Sequence, residues 1–328
     1  MRTNIRYDYV DSIGGLMILH MIAYHIFGGG YYGTLAEECM RPLSFFMFWF
    51  FYKSGMFYKP LSCNDILRKG WHKLIIPYAF FSLTGFVVWC LRQTVVAGFG
   101  ILDFLKEALQ EFAFSGTFPN NVALWFLPYL LLVHITFNIV YKSGGILFLT
   151  FGSIVLSCLF HFTGVILLFY IVNFPLGIAS YSFGYIMRKH QYCNGIFVTA
   201  LILYVGILVL CPSSLDFRGN HLIQSNGYYI LAIIFSFAGC IVINNIFKMW
   251  LPHRCSILHW IGCRTMDFYV PHMIILTLCL FVPKIFVPYL KELQCMSCII
   301  LLPVFSIVVE RLGMGWIFGK AYECKHSN

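Results

Sequence analysis

The stretch SIGGLMILHMIAYHIFGGG, residues 12–30, decides the class of fold. It holds no Asp, Glu, Lys or Arg, and its apolar character begins a little earlier, at Tyr9. A helix needs about 20 such residues to cross the hydrocarbon of a bilayer. Inside lipid only a helix or a closed barrel satisfies every backbone N–H and C=O. This block is too long and continuous for a barrel strand, which alternates apolar and polar residues. His20 and His25 interrupt it, and an ionisable side chain in a spanning helix turns to a bundle interior or marks function. At 100° per residue, His25 returns to nearly the face of Gly14 about 16 Å along the axis. His20 lies about 140° away from His25, so one helix does not bring both to one site.

Working outward, blocks of this length recur along the chain. Candidate spans are 9–28, 43–60, 75–97, 122–141, 145–163, 165–187, 195–212, 228–247, 266–289 and 295–318, the fifth and sixth parted by a tight turn near Phe162–Gly164. The composition agrees: 60% hydrophobic and 11% charged residues, with a mean hydropathy of +0.80. A soluble domain needs far more polar surface. The expectation is an all-α membrane protein, a single bundle of about ten transmembrane helices forming one domain over residues 1–328. No internal repeat or dividing linker is visible. The N-terminal run MRTNIRYDYVDSIGG leads into an apolar block too long for a signal-peptide core and reads as an uncleaved first span.

Basic residues alternate between the ends of these spans. Arg41, Arg92, Lys106, Arg218, Lys284 and Lys291 fall on one side, and the remaining sixteen of the 22 on the other. The positive-inside bias therefore places both termini in the cytoplasm, in a multi-pass protein of the plasma (inner) membrane. The net charge of +9 reflects this bias and does not point to nucleic acid. Glu37, Glu38, Asp103, Glu107 and Glu111 occupy the opposite, outward loops. Within the loop 98–121, Ile101, Leu102, Leu105 and Leu109 suggest a short amphipathic helix on the membrane surface.

Most of the 13 cysteines lie in apolar blocks and read as small hydrophobes. The pair Cys295 and Cys298 has no second pair, so no zinc motif is expected. The segment GMGWIFG, 313–319, lacks the preceding strand and spacing of a nucleotide loop.

The run YVDSIGGLMILHMIAYH, 9–25, resembles the opening of the acyltransferase-3 family of integral-membrane acyltransferases, with Asp11, Gly15 and His25 at matching spacing. Gly14 stands where that family carries Arg or Lys. FMFWFFYKSGMFYKP resembles an aromatic stretch ending in Ser54-Gly55, and RKGWHKLIIPY a basic cluster with Lys73, Pro77 and Tyr78 in register. LWFLPYLLL resembles the family's Trp-Phe-Leu segment at Trp125. WIGCRTMDFYVPHMIIL resembles its closing signature, with Gly262, Thr265, Tyr269 and His272 in step.

The resemblance implies transfer of an acyl group, commonly acetyl, from cytoplasmic acyl-CoA to a hydroxyl of a cell-envelope polysaccharide or lipid-linked sugar. An imidazole suits proton removal from such a hydroxyl near neutral pH. His25 is the candidate base, with Asp11 and His272 as further catalytic candidates. Asp11 also reads as a helix cap, His272 as a helix bridge, and His20 as structural. Coenzyme A is rich in phosphate, and Arg68, Lys69, His72 and Lys73 form a cytoplasmic cationic run that also reads as a positive-inside loop. If a basic residue at position 14 steers coenzyme A in the family, Arg6 and Lys73 are the substitutes here. Gly14-Gly15 either packs tightly against a helix or lets the pantetheine arm pass, the former favoured. Ser54 either donates to the thioester carbonyl or bonds back to its own helix. Trp125 either lines the acyl pocket or sits in an interfacial belt. Tyr269 shares a helix face with His272. If Asp267 sits at membrane depth, it should have a cationic or imidazole partner, and Pro271 is able to kink that helix and change its geometry. No metal is expected. A glycan or acyl-group exporter and a degenerate non-catalytic member are the alternatives.

Overall fold

A computed structural model of the chain describes residues 7–27, 35–97, 101–165, 167–190, 193–210, 228–250, 256–281 and 284–320. Arg2, Arg6, Arg218, Arg254 and Lys325 from the charge pattern lie outside them, as does the glycine run ending the stretch quoted above. So do the side chains of Glu37, Ile101, Leu102, Asp103 and Lys284.

The described residues are helical and contain no strand. In chain order the helices are α1 (Asp8–Phe27), α2 (Leu35–Met40), α3 (Phe46–Met56), α4 (Cys63–Gly70), α5 (Ile76–Arg92), α6 (Ile101–Ser115), α7 (Phe126–Lys142) and α8 (Ile146–Thr163). Then come α9 (Phe174–Met187), α10 (Asn194–Leu210), α11 (Tyr229–Trp250), α12 (Ser256–Cys263), α13 (Thr265–Tyr269), α14 (His272–Leu278) and α15 (Leu290–Arg311). Among the described residues, 6 helical stretches are long and apolar enough to cross a membrane, including Asp8–Phe27, Cys63–Val95 and Tyr229–Trp250. Three shorter apolar stretches, Ile171–Met187, Asn194–Leu210 and Thr265–Phe281, fall where spans are expected. Large apolar side chains face outward, with Phe148 85% and Leu147 73% exposed. Apolar exposure on that scale suits lipid and not water.

Two expected spans differ in form. The segment 43–60 is α-helical only over Phe46–Met56, 11 residues, about 16 Å of rise and so shorter than a bilayer core. The third span begins earlier than its apolar residues suggest. The amphipathic α4 continues through a π-helical stretch at Trp71–Ile75 into α5 without a break.

The chain forms two compact units. The first takes Met1–Pro60, Ile139–Ile166 and Ile171–Thr265, and the second Leu61–Asn138, Leu167–Tyr170 and Met266–Asn328.

In the first unit, glycines set the closest helix crossings. A Cβ on Gly55 of α3 would stand 1.8 Å from Tyr181 O of α9, and one on Gly184 of α9 would stand 2.0 Å from Tyr52 O. Each helix thus lays a bare Cα on the other's backbone, as small residues allow in membrane bundles. The Ser180 hydroxyl donates to Phe48 O across the same seam at 2.6 Å. Phe48, Trp49, Phe51 and Tyr52 on α3 are almost wholly buried. Arg41, which also pairs with Glu38 at 3.3 Å, donates to Leu208 O near the end of α10. There it meets carbonyls that the helix itself leaves unbonded.

In the second unit, Ser62 caps α4, accepting from Asp65 N at 3.1 Å and donating to the Asp65 carboxylate at 2.7 Å. The turn Gly315–Phe318 buries Ile317 and Phe318, and the Phe318 ring stacks on Phe81 of α5 at 5.8 Å. Gly319 follows with φ +70, and a Cβ there would stand 2.5 Å from Lys73 O. That left-handed conformation and close approach both call for glycine. GMGWIFG is therefore a docking turn. Helix α6 falls in the loop where a short amphipathic helix is expected, and among its described residues Phe104 and Ala108 are the buried apolar ones, packed with Trp89 of α5. Leu105 and Leu109 point outward, 46% and 55% exposed, where an interfacial helix meets lipid.

Candidate functional site

The first and last stretches of the resemblance meet where α1 crosses α12. A Cβ on Gly262 would stand 1.6 Å from Asp11 O, and one on Gly15 would stand 2.1 Å from Leu258 O. Of the two readings of the glycine pair, tight packing describes Gly15. Gly14 faces a different neighbour. A Cβ there would meet Lys53 Nζ at 3.1 Å and Thr265 Cγ2 at 3.4 Å. Lys53 comes from α3, lies over the Trp49 ring at 5.4 Å, and pairs with Asp11 Oδ1 at 3.7 Å. The cation beside position 14 is thus Lys53. Arg6 lies outside the described residues, and Lys73 belongs to the second unit.

Asp11 lies inside α1, three residues past its first, and its side chain turns to other helices. Its side chain is 12% exposed, and its Oδ2 stands 4.0 Å from Cys263 Sγ. Cys263 in turn lies 3.8 Å from His259 Nδ1 and 3.6 Å from its Nε2. His259 Nε2 is 3.5 Å from Asp8 Oδ1. Asp8 and Asp11 are three apart on α1, and His259 and Cys263 four apart on α12, so each pair shares a helix face. Cys263 therefore departs from the expectation that the cysteines only fill apolar space.

His25 lies in the last turn of α1, half-buried, its ring 6.2 Å from that of Tyr24. Fourteen residues of helix separate it from Asp11, about 21 Å, so these two candidates do not meet. His20 is buried with its ring edge-on to Phe46 at 5.4 Å, in keeping with a structural role. The Ser54 hydroxyl donates to Phe50 O of its own helix at 2.9 Å, the second of its two readings. An apolar pocket of about 350 Å³ in this unit is lined by Phe183, Thr199, Leu203, Ile234, Phe237 and Ile241. It has no cation for a phosphate.

The remaining candidates fall in the second unit. Arg68, Lys69, His72 and Lys73 are all exposed, along α4 and the π-helical stretch. Insertions like this π-helical stretch are frequent at functional sites. Arg68 also makes a surface pair with Asp65 at 3.7 Å. Trp125 is buried against Tyr129 at 5.3 Å, not displayed on an outer belt.

Pro271 does interrupt the apolar stretch Thr265–Phe281. Helix α13 ends at Tyr269 and α14 begins at His272, which is fully buried. His272 Nδ1–H donates to Tyr269 O. The Tyr269 and His272 rings lie 6.1 Å apart, as a shared face requires. Asp267 has the expected cation: Lys320 Nζ stands 2.7 Å from Oδ2, which also accepts from the Ser306 hydroxyl at 2.6 Å.

Sequence reading passed over Asn120 and Asn121. Asn121 Nδ2 donates to Phe81 O at 3.2 Å and to Val270 O at 3.3 Å, tying α5 to the break before Pro271. Thr277 donates to the Asn120 side chain, and Tyr269 to Ala123 O. A polar pair at the start of a span was the one available signal. Comparison with protein-family models, curated proteins and solved structures gives no match to this chain.

Proposed function

We propose that the chain is an integral-membrane O-acyltransferase, carrying an acyl group from cytoplasmic acyl-CoA to a hydroxyl of an envelope polysaccharide or lipid-linked sugar. The observation that carries this reading is Lys53. The opening signature resembles the acyltransferase-3 pattern except at Gly14, and Lys53 Nζ stands beside that glycine and pairs with Asp11. A lysine reaching over from α3 fits the space that a side chain at position 14 would claim, so the departure does not remove the cation. The exposed Arg68, Lys69 and Lys73 are suited to coenzyme A phosphates, with His72 beside them. The Trp125, Tyr269 and His272 group is suited to lining or orienting a substrate.

In this scheme His25 takes the proton of the acceptor hydroxyl as its oxygen attacks the thioester carbonyl. The carbon–sulfur bond then breaks, and the coenzyme A thiolate receives a proton. His25→Ala is expected to leave the protein folded and abolish acyl transfer, read by mass spectrometry of surface glycans from cells with and without the gene. Full transfer by that variant removes His25 from the chemistry. Glycan flux into proteoliposomes with no acylated product would favour an exporter instead. Lys53→Met is expected to lower transfer at least about tenfold, a loss of roughly 1.4 kcal/mol. The exchange Gly14→Lys with Lys53→Ala is expected to recover part of it. Gly14→Arg alone is expected to give no gain, because its side chain enters space beside Lys53.

A further inference from the structure

We propose that Asp11, His259 and Cys263 bind a divalent zinc-class ion that clasps α1 to α12. The donor atoms of these three residues lie within 4.8 Å of one another. Bond lengths of about 2.0–2.3 Å at tetrahedral angles set ligand atoms on zinc roughly 3.3–3.7 Å apart. Cys263 Sγ is 3.8 Å from His259 Nδ1 and 4.0 Å from Asp11 Oδ2, and the whole set lies within 4.8 Å, so closing it on an ion draws the side chains together by about 1 Å. The bare Cα atoms at Gly15 and Gly262 are what allow the two helices to approach so closely.

The surroundings fit an ion as well as the donors do. His259 Nε2 faces Asp8 Oδ1 at 3.5 Å. An Nε2–H donating to Asp8 leaves Nδ1 free of its proton for the metal, and metal-bound histidines commonly use a carboxylate in this way. The two oxygens of Asp11 divide their work, Oδ1 toward Lys53 at 3.7 Å and Oδ2 toward Cys263. With Cys263 as thiolate, the negative charges of Asp8, Asp11 and Cys263 balance a divalent ion together with Lys53. A sulfur, nitrogen and oxygen donor set suits zinc, whereas magnesium and calcium take oxygens alone. Asp8 and His259 have side chains 48% and 28% exposed, which gives an ion a way in and leaves a fourth position to water. Binding forms metal–oxygen, metal–nitrogen and metal–sulfur bonds and releases the Cys263 proton to solvent; nothing is oxidised. The site goes beyond acyl transfer and does not depend on it.

The test uses the full chain, purified in detergent through a tag without histidines. About one zinc per chain is expected after equilibration with zinc and removal of the excess. Cobalt exchanged into the site should show tetrahedral visible bands and a thiolate charge-transfer band. Cys263→Ser should abolish that band, Cys295→Ser should retain it, and His259→Ala should weaken zinc binding at least about tenfold. Should these variants not fold, the wild-type chain decides alone: zinc should protect Cys263 from alkylation in peptide mass spectrometry. Failure to retain zinc, a cobalt spectrum without sulfur ligation, or alkylation of Cys263 unchanged by zinc overturns the proposal.

Discussion

Gly262 is the residue at which the α1–α12 crossing is most sensitive. A methyl group there would stand 1.6 Å from the Asp11 carbonyl oxygen, a backbone atom that no rotamer change can move. Gly262→Ala is expected to destabilise the fold by about 3 kcal/mol, at the upper end for overpacking. Gly152→Ala, with nothing within 4 Å of the new carbon, is expected to be near neutral. Thermal unfolding of the two variants in detergent checks the contrast. Asp267 offers a second test at this scale. It is fully buried and its partner Lys320 is 33% exposed. Lys320→Ala removes the cation paired with a buried carboxylate and is expected to lower stability by about 3 kcal/mol. Lys320→Met with Asp267→Asn should cost less than Lys320→Ala alone, because the buried charge is then removed with its partner.

Among the elements, α4 shows how a weak helix is started. Eight residues are too few to hold a helix in water, so its cap and its continuity with α5 matter. Ser62→Ala removes the acceptor for Asp65 N and is expected to cost about 1 kcal/mol. Hydrogen exchange should rise over residues 63–70 and remain unchanged over α15. This element also shows where sequence reading stops. Its polar residues hid the fact that the third span begins at Cys63, since hydropathy reports lipid contact and not helical continuity. The aromatic run at 46–56 misled in the opposite direction, having the composition of a span but only 11 helical residues. Pro271 was legible as a candidate break, because its ring lacks an N–H and crowds the preceding turn, although Pro303 lies inside the continuous α15.

At the scale of the whole molecule, the apolar blocks announced a helical membrane protein because the length of a bilayer crossing is a constraint local to each segment. Contacts between distant segments were not visible. Asp11 and Cys263 are 252 residues apart, and nothing in the pattern of either stretch predicts their approach. Lys53 beside Gly14 was hidden for the same reason. The orientation drawn from the basic residues makes its own prediction. Cys39 is exposed on the segment expected outside, and Cys63 and Cys193 are exposed on segments expected inside. In single-cysteine variants on intact cells, a membrane-impermeant maleimide is expected to label Cys39 and to reach the other two only after permeabilisation. The reverse pattern would invert the topology.

The tie between Asp267 and Lys320 also bears on how the protein is made. The carboxylate leaves the ribosome 53 residues before its lysine, so it is handed to the insertion machinery before Lys320 exists to pair with it. During that interval it must stay protonated or keep to a hydrated niche of the translocon. The tie from Lys320 to the interior of the second unit therefore forms only once that lysine emerges, and nascent chains stalled before that point are natural prey for membrane proteases.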